Sequence, residues 1–345
     1  KLDRKTGAVL WSQAFTNGRF TTGTTPLALA YGHLVASCGM GASQSFVGAD
    51  GGTGAITANQ AAAASVYELD PATGRVNWAR GITTYETDAG TPTQVSSVDV
   101  TANNVVVAGT FAGSQLIDTP AHAIDVPHVG TVVNGNQANG FVVELAVANG
   151  APAWAKGFGD ATGPGTVGKT FASGSSTSGG IVVGGNFTGN VDFGAGPHAS
   201  VGLQDGFVVL LANKAGAPAW EKYFDGANVN DVGPVRTEPC GGSVFLLYTG
   251  STLASMDGVT FPAPQSGGNA ALVGKLDSAG KLLWVNGVTP GGSPDTNGIN
   301  PYDVAVGQDA HSVTVGNFRG TIDLGDGTPV SPLGGSGPYM IRYEP

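Results

Sequence analysis

Gly140-Phe141-Val142-Val143-Glu144-Leu145, a polar turn, and then Gly150-Ala151-Pro152-Ala153-Trp154 form the stretch that decides the fold. The first half is apolar and β-branched, which suits a strand. The glycine supplies the left-handed backbone that a tight turn needs. The second half is a strand carrying a large aromatic. The same ending recurs as Gly7 to Trp11, Gly74 to Trp78, Gly216 to Trp220 and Gly280 to Trp284, always with glycine four residues before tryptophan. These five tryptophans, Trp11, Trp78, Trp154, Trp220 and Trp284, are the only ones in the chain. One hairpin cannot bury its own apolar face, so five equivalent ones imply stacked, repeated units.

Successive tryptophans lie 67, 76, 66 and 64 residues apart, and the interval from Trp284 through the C-terminus to Trp11 is 72. That closing interval matches the others, as in a ring cut open at one point. Each period holds four strand-like segments, the pattern of an antiparallel propeller blade. The expected fold is therefore all-β, a single five-bladed β-propeller over 1–345. Its blades are at about 24–82, 95–158, 166–224, 230–287 and 301–345 plus 1–16. The expected innermost strands are 25–31, 95–101, 166–173, 230–237 and 302–308. The last blade has no fourth strand after Tyr343, so the ring is expected to close by pairing 8–15 with 338–343.

The connections between second and third strands are long. Three of them carry a further motif: Gly109-Thr110-Phe111 followed by Asp118, Gly185-Asn186-Phe187 by Asp192, and Gly316-Asn317-Phe318 by Asp323. Gly48–Ala64, rich in Gly, Ala and Thr, reads as a mobile excursion.

Composition narrows the function. Of 345 residues only 12% are charged, about half the usual share. The net charge is −10 and there is no basic run, which disfavours nucleic acid and anionic membrane surfaces. No apolar run approaches the ~18 residues of a membrane helix. Cys38 and Cys240 are too few for a disulfide framework and are expected as two separate buried thiols. The chain begins at Lys1-Leu2-Asp3, which matches Glu68-Leu69-Asp70 inside a repeat, as a segment processed or trimmed from a longer precursor would.

The fullest repeat runs Gly185-Asn186-Phe187-Thr188-Gly189-Asn190-Val191-Asp192-Phe193-Gly194, Asp205-Gly206-Phe207-Val208-Val209, then Gly216 to Trp220. It resembles the bacterial β-propeller repeat called SBBP. The resemblance extends at varying strength over the whole chain. It implies a secreted or surface-exposed bacterial protein and no common catalytic residues. The copies Leu2-Asp3…Thr6-Gly7…Trp11 and Leu69-Asp70…Thr73-Gly74…Trp78 also resemble quinoprotein propeller repeats, which would imply eight blades and a cofactor over the axis.

Candidate chemistry lies on the innermost strands. Asp99, Asp231 and Asp303 could line an axial channel with Lys169 and Arg236. A funnel-type glycosidase or lyase needs two carboxyls at a defined separation. Aligning the Gly-x-Phe motifs sets Asp303 opposite Ser96 and Asp99 opposite Val306, at different depths. Asp192, Asp323 and Asp326 are the candidates for calcium, which takes six or more oxygens. Asp192 and Asp323 recur at one repeat position, with Asp118 approximately there, which points instead to side chains that cap turns. The five histidines are scattered, no HExxH or GxSxG motif is present, and no cofactor is expected. The expectation is a non-catalytic extracellular binding, scaffold or surface-structural module. Its expected partners are copies of itself or a surface polysaccharide, met through loops on a stiff frame.

Overall fold

A computed structural model gives the fold and describes every residue except 17, 20–25, 41–42, 58–62, 85–92, 114, 120–123, 131–136, 176–179, 213–217, 251–254, 262–268, 291–297 and 325–326; for 18–19, 115–119 and 289–290 it describes the backbone only. The described residues hold strands and no helix, so no helix is long and apolar enough to cross a membrane. The chain divides into two compact units, Lys1–Gly157 and Phe158–Pro345. Both are built of four-stranded antiparallel meanders, a β-propeller-like fold.

In the first unit the meanders are Leu27–Ala30, His33–Met40, Ala63–Leu69, Val76–Thr84, and Gln94–Val100, Asn104–Phe111, Asn139–Ala146, Pro152–Phe158. In the second they are Val167–Gly174, Ile181–Phe187, Asp205–Leu211, Pro218–Phe224, and Asn230–Thr237, Ser243–Thr249, Ala270–Leu276, Leu282–Pro290. A final sheet has three strands, Gly298–Val306, Ser312–Arg319 and Gly337–Tyr343. Second and third strands such as Ile181–Phe187 and Ala270–Leu276 are buried along their whole length. That explains their near-continuous Val, Leu and Phe where a half-exposed strand would alternate.

Every complete innermost strand after the first repeat breaks register once, between Val95 and Ser97, Val167 and Thr170, Val232 and Val235, and Pro301 and Asp303. The bulge pushes a backbone carbonyl toward the second strand, and the motif glycine receives it. A Cβ on Gly109, Gly185 or Gly316 would stand 1.9, 2.0 or 2.3 Å from the carbonyl oxygen of Gln94, Lys169 or Asn300. The Gly-x-Phe motif is thus the imprint of a bulge.

The hairpin glycines Gly7, Gly74, Gly150 and Gly280 have φ of 71, 74, 66 and 78°. They serve a second purpose. The indole of Trp11 lies on Gly74, that of Trp78 on Gly150 and that of Trp220 on Gly280, where a Cβ would come within 2.2, 2.7 and 2.6 Å of the ring. Each indole N–H donates to a carbonyl in the same turn, Pro71 at 3.1 Å, Val147 at 2.7 Å and Ser278 at 3.1 Å. The tryptophans are therefore half-buried rivets from one repeat to the next. Gly216, the hairpin glycine of the third repeat, lies outside the described residues. Gly150→Ala and Gly7→Ala separate the two demands. Both sites need positive φ, but a Cβ on Gly7 meets nothing within 4 Å. In denaturant unfolding, Gly7→Ala should cost about 1 kcal/mol and Gly150→Ala about 3 kcal/mol, because only the latter displaces an indole. Equal losses would mean that the rivet carries no energy.

All five long connections carry a short hairpin, including those of the first and fourth repeats, where the sequence motif is missing. They are Ser43–Val47 with Thr53–Thr57, Gln115–Thr119 with Asp125–Pro127, Asn190–Asp192 with Pro197–Ala199, Ser255–Met256 with Val259–Thr260, and Ile322–Asp323 with Pro329–Val330. Each bonds to the end of the outer strand before it: Leu116–Thr119 with Thr84–Gly81, Val191 with Asp160, Ser255 with Asp225, and Ile322 with Pro290. The first follows suit, since Thr16 N–H donates to the Ser45 carbonyl at 3.2 Å and Ser45 N–H to the Thr16 hydroxyl at 2.9 Å. The expected mobile excursion over 48–64 is in its described part half of an ordered hairpin. Gln44 at 0% exposure and Phe46, edge-on to Tyr67 at 5.4 Å, anchor it.

The expected pairing of 8–15 with 338–343 does not appear among the described strand pairings. Gly337–Tyr343 pairs only with Ser312–Arg319 among the described residues. Val9 instead bridges Leu2, repeating the Leu69–Val76 pair of the first repeat. Tyr343, opposite Ser312, occupies the repeat position that Leu69 holds opposite Leu34. The place opposite Val9 is thus already filled from seven residues away, the nearer and entropically easier partner.

Candidate functional site

Four of the five channel candidates lie in the second unit, on innermost strands that neighbour one another. Asp231 opens the strand Asn230–Thr237, and its carboxylate accepts the Asn186 amide N–H at 2.7 Å. Asn186 is the middle residue of a Gly-x-Phe motif, and its amide oxygen presses on Gly168, where a Cβ would come within 1.8 Å. Burial pushes the Asp231 carboxyl up, opposed by the Lys169 charge and the Asn186 hydrogen bond. Tyr248 stands directly across the ladder from Asp231, and burial, then the Asp231 charge, pushes its phenol up.

Arg236 forms a second cluster further along the same strand. Its guanidinium lies 3.0 Å from an oxygen of Asp303 and also donates to the Val235 carbonyl at 2.9 Å. Asp231 faces Tyr248 across its ladder and Asp303 faces Val315, so the two carboxylates stand at different ladder positions. Arg236 and Asp303 thus form an ion pair, while the Lys169 charge acts on Asp231. Asp99 lies in the first unit, where it accepts the Val100 N–H at 2.8 Å. Its repeat position matches Ala305, and Asp303 matches Ser97, one residue off the sequence alignment in each case. The turn at 307–311 has one residue more than that at 101–104, and this moves the register.

The calcium candidates cap turns. Asp192 accepts the N–H of Gly194 at 2.7 Å and of Gly196 at 3.1 Å, and Asp323 that of Gly327 at 3.1 Å. Asp326 lies outside the described residues. Among the described residues, no three His, Cys, Asp or Glu gather as metal ligands. His33 pairs with Glu68 at 3.0 Å, while His198 stacks on Tyr223 at 3.6 Å with Asp225 at 3.2 Å. Both cysteines are free thiols, but only Cys38 is buried. Cys240 is exposed because it sits in the turn between Asn230–Thr237 and Ser243–Thr249, outside any sheet.

Two polar clusters escape the sequence reading. Cys38, Gln44, Ser65 and Tyr67 form a buried set: the Ser65 hydroxyl donates to the Gln44 amide oxygen at 2.7 Å, the Tyr67 hydroxyl to the same oxygen, and Cys38 Sγ lies 3.2 Å from Ser65 Oγ. They lie far apart in sequence, so no local pattern marks them. Asp160, at 4% exposure, holds the loop that follows Pro152–Phe158. A signal for it exists, since Asp160-Ala161-Thr162-Gly163 echoes the turn-capping Asp70-x-x-Thr73-Gly74.

No family model matches the chain, and no curated protein matches it. Among solved structures it is similar to the quinohemoprotein alcohol dehydrogenase ADHIIG from Pseudomonas putida HK5, at 12% identity and a TM-score of 0.34. The match covers 92% of this chain and 59% of that one, so the chain spans little more than half the length of that structure. A likeness this distant says nothing of ligand or activity.

Proposed function

We propose that the chain is a non-catalytic binding or scaffold module, a five-bladed propeller displayed outside a bacterial cell, that meets polar partners such as surface polysaccharide through its second-to-third-strand connections. The observation that carries this is the ion pair of Arg236 with Asp303. Glycoside hydrolysis requires two carboxyls about 5–9.5 Å apart, one of them held protonated. Asp231 has the raised affinity for a proton that favours a funnel enzyme, but the candidate partner Asp303 is held in an ion pair by Arg236 at 3.0 Å. What differs between the repeats is the length and chemistry of the connections, which is where a rigid frame presents recognition. The resemblance to the SBBP repeat supports the extracellular, bacterial setting.

The test is a panel of glycoside and ester substrates run beside a glycan array. Binding without turnover is expected, and Asp231→Asn should leave the binding unchanged. Turnover that vanishes in both Asp231→Asn and Asp303→Asn would establish the funnel enzyme instead.

A further inference from the structure

The first unit holds a small polar cavity where its two repeats meet. Pro26, Ser37 and Gly39 wall it from the first repeat, and Thr93, Gln94 and Val95 from the second. The room left for the centre of a water molecule is ≈ 20 Å³. One water needs about 10–15 Å³ on that measure. Thr93 is 2% exposed, and its hydroxyl has no hydrogen-bond partner among the described residues. A buried hydroxyl left without a partner is destabilising, so folded chains as a rule supply one, from protein or from ordered water. Ser37 lies on the strand face that carries Val35, and Val35 shares a core cluster with Val95. Hydroxyls therefore come to the cavity from both walls.

The second unit shows what fills the same place in an equivalent junction. Gly39 stands five residues beyond Leu34, which pairs with Leu69, and Asn186 five beyond Ile181, which pairs with Leu211. Leu69 and Leu211 both sit at the register shift toward the outer strand, so Gly39 and Asn186 hold the same repeat position. Gln94, opposite Thr110, likewise matches Asp231, opposite Tyr248, and Thr93 therefore matches Asn230. In the second unit the Asn186 side chain crosses to the next repeat, where its amide donates to Asp231 at 2.7 Å. Asn230 is engaged as well, accepting from the Thr249 hydroxyl at 2.7 Å. Gly39 has no side chain to send across. The cavity lies where that amide would go, and the unpartnered hydroxyl belongs to the residue in the Asn230 position.

We propose that this cavity binds a water molecule, hydrogen-bonded to the Thr93 hydroxyl, that stands in for the side chain Asn186 supplies. The size of the cavity selects the ligand, since it admits a water and nothing as large as a sugar ring. The polar walls select it too, because a buried water takes two to four hydrogen-bonding partners and an apolar cavity of this size would stay dry. Bound there, the water links the second strand of the first repeat to the innermost strand of the second, the task that Asn186 performs for its own junction. Every residue of the site belongs to the first unit and every residue of its counterpart to the second. The proposal is independent of the loop-binding reading, and either can fail without the other.

High-resolution crystallography of the full chain tests it. Electron density for one water about 2.7–3.2 Å from Thr93 Oγ1 is the expected result. In Gly39→Asn the new amide should take that density and the water should be gone. Thr93→Val keeps the shape of the side chain and removes its hydroxyl. Its melting temperature should fall by a few degrees, because the bound water loses a hydrogen bond. A dry cavity requires the opposite sign, since a methyl would then replace an unpaired hydroxyl. An empty cavity in the parent density would overturn the proposal, as would a melting temperature that rises in Thr93→Val. A water that persists beside the side chain of Gly39→Asn would overturn the equivalence with Asn186.

Discussion

Gly185→Ala is expected to lower stability by about 3 kcal/mol or more. The new methyl would stand 2.0 Å from the Lys169 carbonyl oxygen, 3.1 Å from its carbon and 3.0 Å from the Phe207 ring. A side chain can rotate away from a clash, but a backbone carbonyl moves only with its strand. The bulge between Val167 and Thr170 would have to flatten, and Lys169 and Asn186 would shift with it. Urea unfolding followed by far-UV dichroism measures the loss. Gly298→Ala is the control: a Cβ there meets nothing within 4 Å and no positive φ is involved, so the change should stay within about 0.5 kcal/mol. Similar midpoints for the two variants would refute the assignment of the motif glycine to the bulge.

Asp160→Ala should cost about 3 kcal/mol, from loss of a buried, charged acceptor whose donors have no substitute. One carboxylate oxygen accepts the N–H of Thr162 at 2.9 Å and of Gly163 at 2.8 Å, and the Thr162 hydroxyl at 3.1 Å. The other accepts the N–H of Gly165 at 3.1 Å and of Asn190 at 3.0 Å, which ties the loop to the short hairpin of the next repeat. Burial alone would push this carboxyl up. The N–H groups of Asn190, Thr162 and Gly165 and the Thr162 hydroxyl outweigh it and hold the carboxyl below the usual carboxylate range. The stabilisation is therefore fully present above the unfolded pKa of about 3.9 and is lost as pH falls through the lower folded value. Acid unfolding of the parent should show a component below about pH 4 that is missing in Asp160→Asn. An Asp160→Ala loss under about 1 kcal/mol would show that water replaces the carboxylate at those donors.

Strands and turns were legible because their causes are local. Val142, Val143 and Leu145 favour extended backbone, Gly150 permits a left-handed turn, and Trp154 marks the strand beyond it, whatever lies elsewhere in the chain. Repetition of that local code placed the main strands of the repeats. The Gly-x-Phe motif was visible, but its cause was not, since the carbonyl that excludes a side chain at Gly185 arrives from a bulge in another strand. Nor could the alignment see that a turn one residue longer at 307–311 moves Asp303 from the Ser96 position to that of Ser97.

Choice among equivalent partners was left to the tertiary structure. Val9 could pair with Leu2 or with the strand ending at Tyr343, since both offer the same ladder, and the nearer one holds the position. Lys169 could have served any acidic neighbour until the sheets brought it beside Asp231 and brought Arg236 beside Asp303. A strand's periodicity and a turn's handedness are properties of a few consecutive residues, so sequence alone determined them. Which charges neutralise one another, and which faces remain open, depend on how whole sheets stack, and only the folded chain decides that.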